Sequence, residues 1–173
     1  MDLNSIMTDM LKDQAIKAIS KKTGLDQKTA SAMAAKALPM ILGQLKDNAS
    51  DPAKASGLEK AVAGNDGWLL ANLDGIDLAD GSKILGHIFG WKKADAEKIA
   101  GSSDGLAALA PIVMAALGKA NSDSGESAGS LLSNPAVMGM AAKFLDQDDD
   151  GDLDKSDFMT LGMNFLKKKF SGK

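Results

Sequence analysis

Apolar residues recur along this chain at intervals of three and four, the spacing that gathers side chains on one face of an α-helix. No stretch alternates convincingly with the period of two that a half-buried strand needs. Leu3, Ile6, Met7, Met10 and Leu11 form the first stripe, which Ala15, Ala18 and Ile19 continue and Gly24 stops. A second, Ala-rich helix is predicted from about Asp26; it meets Pro39, which lacks an N–H donor and must kink the helix or end a turn there. Asp51-Pro52 opens a third, short helix, Gly64, Gly67 and Gly75 supply turns, and further helices are predicted near 80–89, 92–101 and 104–118. The pattern predicts an all-α fold: a multi-helix, bundle-like domain over residues 1–120 that closes near Gly118, and then a change of composition. The small polar run Asn121-Ser122-Asp123-Ser124-Gly125-Glu126-Ser127 begins a linker over 121–133, and a separate unit follows over 134–173.

In that unit Val137, Met140, Ala141, Phe144 and Leu145 share one helix face, after an Asn134-Pro135 start that offers an N-cap and a pre-set first position. Phe158, Leu161, Gly162, Phe165 and Leu166 repeat the spacing, and Lys167, Lys168 and Lys169 suit the negative end of that helix's dipole. Between the two stripes, Asp146 to Asp157 carries the acidic spacing of an EF-hand calcium loop. Asp146, Asp148 and Asp150 stand at positions 1, 3 and 5, Gly151 at the sharp turn, the Asp152 main-chain carbonyl at 7, Leu153 at 8, Asp154 at 9 and Asp157 at 12. The expectation is a helix-loop-helix, EF-hand-like unit that binds a divalent cation, calcium with magnesium as a competitor. It acts as a structural staple that docks the 134–145 and 156–170 helices. The usual Glu at the last position is replaced by Asp157, whose shorter side chain must be drawn in to give two oxygens, so the affinity falls toward the weak end, roughly 10⁻⁵ to 10⁻³ M. The competing interpretation, a solvated acidic linker, leaves the agreement of so many fixed offsets unexplained.

Charge fits the metal. Segment 146–157 holds seven Asp and one Lys, a formal −6, against −3 for the whole chain, which leaves +3 on the rest. Without a cation those carboxylates repel at close range, so binding should strengthen with pH and weaken with salt.

The remaining composition is poor in catalytic groups: no Cys, no Tyr and one His. A disulfide framework, a thiolate nucleophile and a zinc knuckle are excluded. All 20 basic residues are Lys, so the bidentate guanidinium forks that read guanine edges and clamp phosphates are missing. With no apolar run of membrane-spanning length and no signal-peptide pattern at Met1-Asp2-Leu3-Asn4, the expected location is the cytoplasm. A faint internal repeat pairs Lys21-Lys22 to Ile41 with Lys92-Lys93 to Val113, the prolines lying 72 residues apart; two independent Ala-rich helices would produce the same match.

The pieces Thr23-Gly24-Leu25, Ala37-Leu38-Pro39-Met40-Ile41-Leu42, Asp80-Gly81-Ser82-Lys83-Ile84-Leu85-Gly86-His87-Ile88-Phe89-Gly90 and Leu109-Ala110-Pro111-Ile112-Val113-Met114, in this order and spacing, resemble the YidB-like bacterial family, a domain of unknown function, over about residues 1–120. The resemblance implies an all-α bacterial fold and brings no catalytic residues with it.

Other motifs point to rival functions. Gly101-Ser102-Ser103-Asp104-Gly105 matches a nucleophile elbow but lacks the preceding strand and a downstream His. The one His, His87, sits between Leu85 and Ile88, where a packed helix residue is expected, and Asp95 and Glu97 are expected to face solvent. No enzyme activity is expected. Ala18 to Ser31 resembles a helix-turn-helix, and Lys12, Lys17, Lys21, Lys22, Lys28 and Lys36 outnumber Asp13 and Asp26 around it. Against nucleic acid stand the absent Arg, a pI near 5.1 and a second helix faced with Ala, Ser and Thr. The third class is a scaffold. Met159, Met163, Leu166 and Phe170 widen the apolar arc of the last helix, which could meet the chain's own first domain, a second copy in a homo-oligomer or a target helix.

Overall fold

A computed structural model describes residues 11–65 and 67–134, and among these there is no strand. The first stripe from Leu3 to Met10 and the unit from Pro135 onward lie outside the described residues. A π-helical turn, Leu11–Ala15, leads into α1 (Ile16–Thr23). The wider turn rotates the apolar face, so Ala15, Ile16 and Ile19 are buried while Ala18, which a regular 3.6-residue stripe places inward, is half-buried. Gly24, at φ 73°, ends α1 in a left-handed cap and donates its N–H to the Ser20 carbonyl at 2.9 Å.

Asp26 then caps α2 (Gln27–Ser50), which passes through Pro39 without ending. The lost hydrogen bond is outweighed by burial on both sides of the proline, of Met33, Ala34 and Ala37 before it and Ile41, Leu42 and Leu45 after it. Asp51 caps α3 (Pro52–Ala63) by accepting the Ala53 N–H at 2.9 Å, with Pro52 at the first position. There follow α4 (Trp68–Ala71), a 3₁₀ turn (Leu73–Gly75), α5 (Leu78–Phe89), a second 3₁₀ turn (Gly90–Lys92), α6 (Lys93–Ala100), α7 (Ser103–Ser124) and α8 (Ala128–Ser133).

The core is organised around α7, which packs against each of the other α-helices and most extensively against α5. Over its whole length α7 is long and apolar enough to cross a membrane by composition, yet 72% of its most apolar window is buried inside the domain. Two glycines admit this packing. A Cβ on Gly81 of α5 would lie 1.8 Å from the Ala107 carbonyl oxygen of α7, and one on Gly118 would lie 1.9 Å from the Asn65 carbonyl oxygen. Gly118 is therefore not the stop expected from sequence: α7 runs on to Ser124, because that glycine serves a neighbour's close approach.

Residues 121–133, a linker by composition, are helical over most of their length. They complete α7, turn at Gly125 (φ 70°) and form α8, whose Ala128, Leu131 and Leu132 are buried against α2, α3 and α7. The lysine pairs that align in the sequence repeat fall at different places in the elements. Lys21 and Lys22 lie in the last turn of α1, whereas Lys92 and Lys93 lie where the second 3₁₀ turn opens α6.

Among the described residues Asn48 is the buried polar side chain, and it ties α2 to α5. Its Nδ2 donates to the Ile88 carbonyl at 3.0 Å, a group in the last turn of α5 with no partner in its own helix, while its Oδ1 accepts from Gln44 Nε2 at 3.2 Å. Asn48→Ala leaves a buried carbonyl without its donor, so denaturant unfolding should show a loss of about 1–3 kcal/mol. A variant as stable as the parent would mean that water reaches Ile88.

Candidate functional site

Two regions were legible as sites. The first, with Asp146, Asp148, Asp150, Asp152, Asp154 and Asp157, lies outside the described residues. Among the described residues no three His, Asp or Glu side chains gather into a group that could hold a metal ion.

The second is the corner between α1 and α2. Ser20 Oγ donates to the Leu25 carbonyl at 2.5 Å, Thr23 Oγ1 donates to the Ile19 carbonyl at 2.7 Å, and Leu25 packs against the core, so the turn is held from both sides. Asp26 Oδ1 accepts the Thr29 N–H and Oδ2 the Thr29 hydroxyl, each at 2.8 Å. These bonds favour the carboxylate, the backbone one most, and hold Asp26 below its ordinary 3.8. Lys17, Lys21, Lys22, Lys28 and Lys36 are exposed around this corner. Lys21 also reaches Asp74 Oδ1 at 3.0 Å, joining the end of α1 to the first 3₁₀ turn and lowering the Asp74 pKa through that hydrogen bond and its charge. The exposed start of α2 presents Gln27, Lys28, Thr29 and Ala32, a surface with one cation and little to read bases with.

Both depressed carboxylates act on stability in the same direction. Their contribution is complete above the unfolded-state value of about 3.9 and is lost as pH falls through the lower folded-state values. Asp26→Asn keeps a capping side chain but removes the titration. Its melting temperature should therefore depend less on pH below about pH 4 than the parent's; an identical acid limb in both proteins would rule out Asp26 as a contributor.

The catalytic motifs dissolve into local structure. Gly101, at φ 82°, is the left-handed end of α6, and Ser102 caps α7 by accepting the Gly105 N–H at 2.9 Å. The elbow-like spacing is thus a helix-to-helix junction. His87 is exposed, not packed as expected, because the buried face of α5 runs through Gly81, Leu85 and Ile88. Asp95 is exposed; Glu97 is half-buried, 3.9 Å from Lys93 Nζ.

Sequence reasoning passed over two tryptophans. Trp68 is 56% exposed, and a Cβ on Gly75 would meet its ring at 2.9 Å. Trp91 is 79% exposed at the α5–α6 corner, with Lys92 Nζ 5.9 Å from its ring centroid. Gly90-Trp91-Lys92, an aromatic between a turn glycine and a cation, was the available signal.

Two of the pieces that carry the family resemblance, Asp80–Gly90 and Leu109–Met114, lie on α5 and α7, and the most constrained contact between those helices, Gly81 on Ala107, is a packing contact just outside the second piece. A model of the bacterial proteins of unknown function grouped as DUF937 matches residues 5–120. The chain belongs to the DUF937 family. No curated protein and no solved structure matches it. The DUF937 match ends inside α7, so the last turn of that helix and all of α8 lie past it while packing with it.

Proposed function

We propose that this DUF937 protein is a non-enzymatic divalent-cation binder of the bacterial cytoplasm. Calcium, with magnesium as competitor, orders a C-terminal EF-hand-like unit attached to the family's helices. Within the family we place residues 1–120 in the YidB-like group, on the run Asp80 to Gly90. One observation carries the functional reading: side-chain oxygens of Asp146, Asp148, Asp150, Asp154 and Asp157, with the Asp152 carbonyl and Gly151 between them, stand at the offsets of an EF-hand loop, with Asp157 in place of the usual Glu at the last. Filling the loop neutralises part of a local −6 and draws the two flanking helices together.

The test is a thermal melt of the demetallated protein in calcium, in magnesium and in chelator, with calorimetry alongside. A ligand that binds only the native state adds about 2.7 kcal/mol at 100 times its Kd, so calcium should raise the melting temperature in proportion to its logarithm. No calorimetric heat at millimolar calcium overturns the reading.

A second reading, contact with nucleic-acid phosphates, is supported by the exposed Lys17, Lys21, Lys22, Lys28 and Lys36 at the α1–α2 corner. Failure to retard duplex DNA at low salt and tens of micromolar protein would remove it.

A further inference from the structure

We propose that α8 is a clasp through which the cation loop acts on the DUF937 helices, closed more firmly when the loop is loaded and opening more readily when it is empty. The inference rests on the cation-binding reading of 146–157. It starts from the size of α8, which at six residues is too short to persist without tertiary support. That support comes from the family's own helices. Ala128, Leu131 and Leu132 are 0%, 4% and 1% exposed. Glu59 of α3 reaches across the sequence so that its Oε2 accepts the Ala128 N–H at 3.0 Å and its Oε1 the Gly129 N–H at 3.3 Å. Two amide donors that a helix start leaves without partners are thus met by one carboxylate, whose charge also suits the positive end of the dipole. Ser127 meets a third, accepting the Ser130 N–H at 3.1 Å.

Position gives the clasp its role. α8 lies past the residues that define the family, yet it is seated on α2, α3 and α7. At its other end Asn134 is the sole residue between Ser133 and Pro135, where the entering helix of the loop is predicted to begin. A short segment held by three apolar side chains and one carboxylate belongs to the part of a fold that opens locally at low cost, so its docking is the equilibrium that a neighbouring binding event shifts most readily. If loading requires a docked α8, calcium at ten times its Kd lowers the population of the open form by about tenfold.

Hydrogen–deuterium exchange on the full chain, in calcium and in chelator, with calorimetry on the same samples, tests this. The wild-type amides of 129–132 should exchange about tenfold more slowly with calcium. Glu59→Gln in chelator should exchange there roughly tenfold faster than wild type, the loss of a charge-assisted bond, and calcium should restore part of the protection. Calcium heat without any change at 129–132 overturns the clasp and leaves the cation site standing. Unchanged exchange in Glu59→Gln overturns the clasp whatever the metal does. Absence of calcium heat overturns the cation reading itself, and the clasp falls with it.

Discussion

Gly81→Ala should destabilise the protein by about 3 kcal/mol, the upper end of the cost of overpacking a core. A helical Gly→Ala change ordinarily gains up to about 1 kcal/mol, so the sign itself is diagnostic. The new methyl would lie 1.8 Å from the Ala107 oxygen and 2.7 Å from its carbon. Backbone atoms cannot swing aside as a flexible side chain can, so α5 must back away from α7 by more than an ångström, loosening the most extensive contact in the core. The close approach has a cause on the other helix. Pro111 has no N–H to give to the carbonyl four residues earlier, which is that of Ala107, and its ring crowds the same group. The carbonyl relieved of its helix partner is the one that α5 approaches, and the Gly81 hydrogen standing where a Cβ would go points at it. Pro111→Ala should therefore gain less than the roughly 3 kcal/mol that relief of an interior proline gives elsewhere. Gly86→Ala, on the same helix with nothing within 4 Å, is the control and should be neutral or mildly stabilising. At about 2–4 °C per kcal/mol the Gly81 variant melts roughly 6–12 °C lower; one that melts at or above the parent would show that α5 and α7 are not in this contact.

The same pair of residues shows where sequence reasoning reached and where it stopped. Local signals were legible: Gly24 as a helix stop, and Asp51-Pro52 as a start, are each decided by the conformational demands of a few neighbouring residues. Gly81 and Gly118 carry the same letter for a different reason, the approach of a distant backbone, and one chain gives no sign of which use applies. Gly118 therefore looked like a domain end and the polar residues after it like a linker, although Leu131 and Leu132 were apolar enough to suggest a buried face. Glu59 lies 69 residues from its partner Ala128, and nothing local marks it. His87 is a different case, because helical periodicity sets it off the Leu85–Ile88 face, and attention to its apolar sequence neighbours hid that. The proposed cation loop is a local pattern of the first kind, since its ligands would come from one short stretch and such a site would need no distant partner to complete the set.

That locality also sets the sharpest test of the loop. Asp146→Ala removes the ligand at position 1 and should raise the calcium Kd by at least about 100-fold, roughly 2.8 kcal/mol of binding. Asp149→Ala removes the same charge at position 4, which contributes no ligand in this geometry, so its effect should stay near twofold and shrink as salt is added. Asp157→Glu should act in the opposite direction, because the longer side chain presents both oxygens without drawing the loop in, and calcium binding should tighten by about tenfold. Selectivity over magnesium should rise with it, since a bidentate carboxylate suits the larger, more flexible coordination shell of calcium. A solvated acidic stretch behaves otherwise: each lost carboxylate weakens cation accumulation equally, and an Asp-to-Glu exchange changes nothing. Equal losses in the Asp146 and Asp149 variants, measured by calorimetry at two salt concentrations, would therefore replace a coordination site with a charged tail.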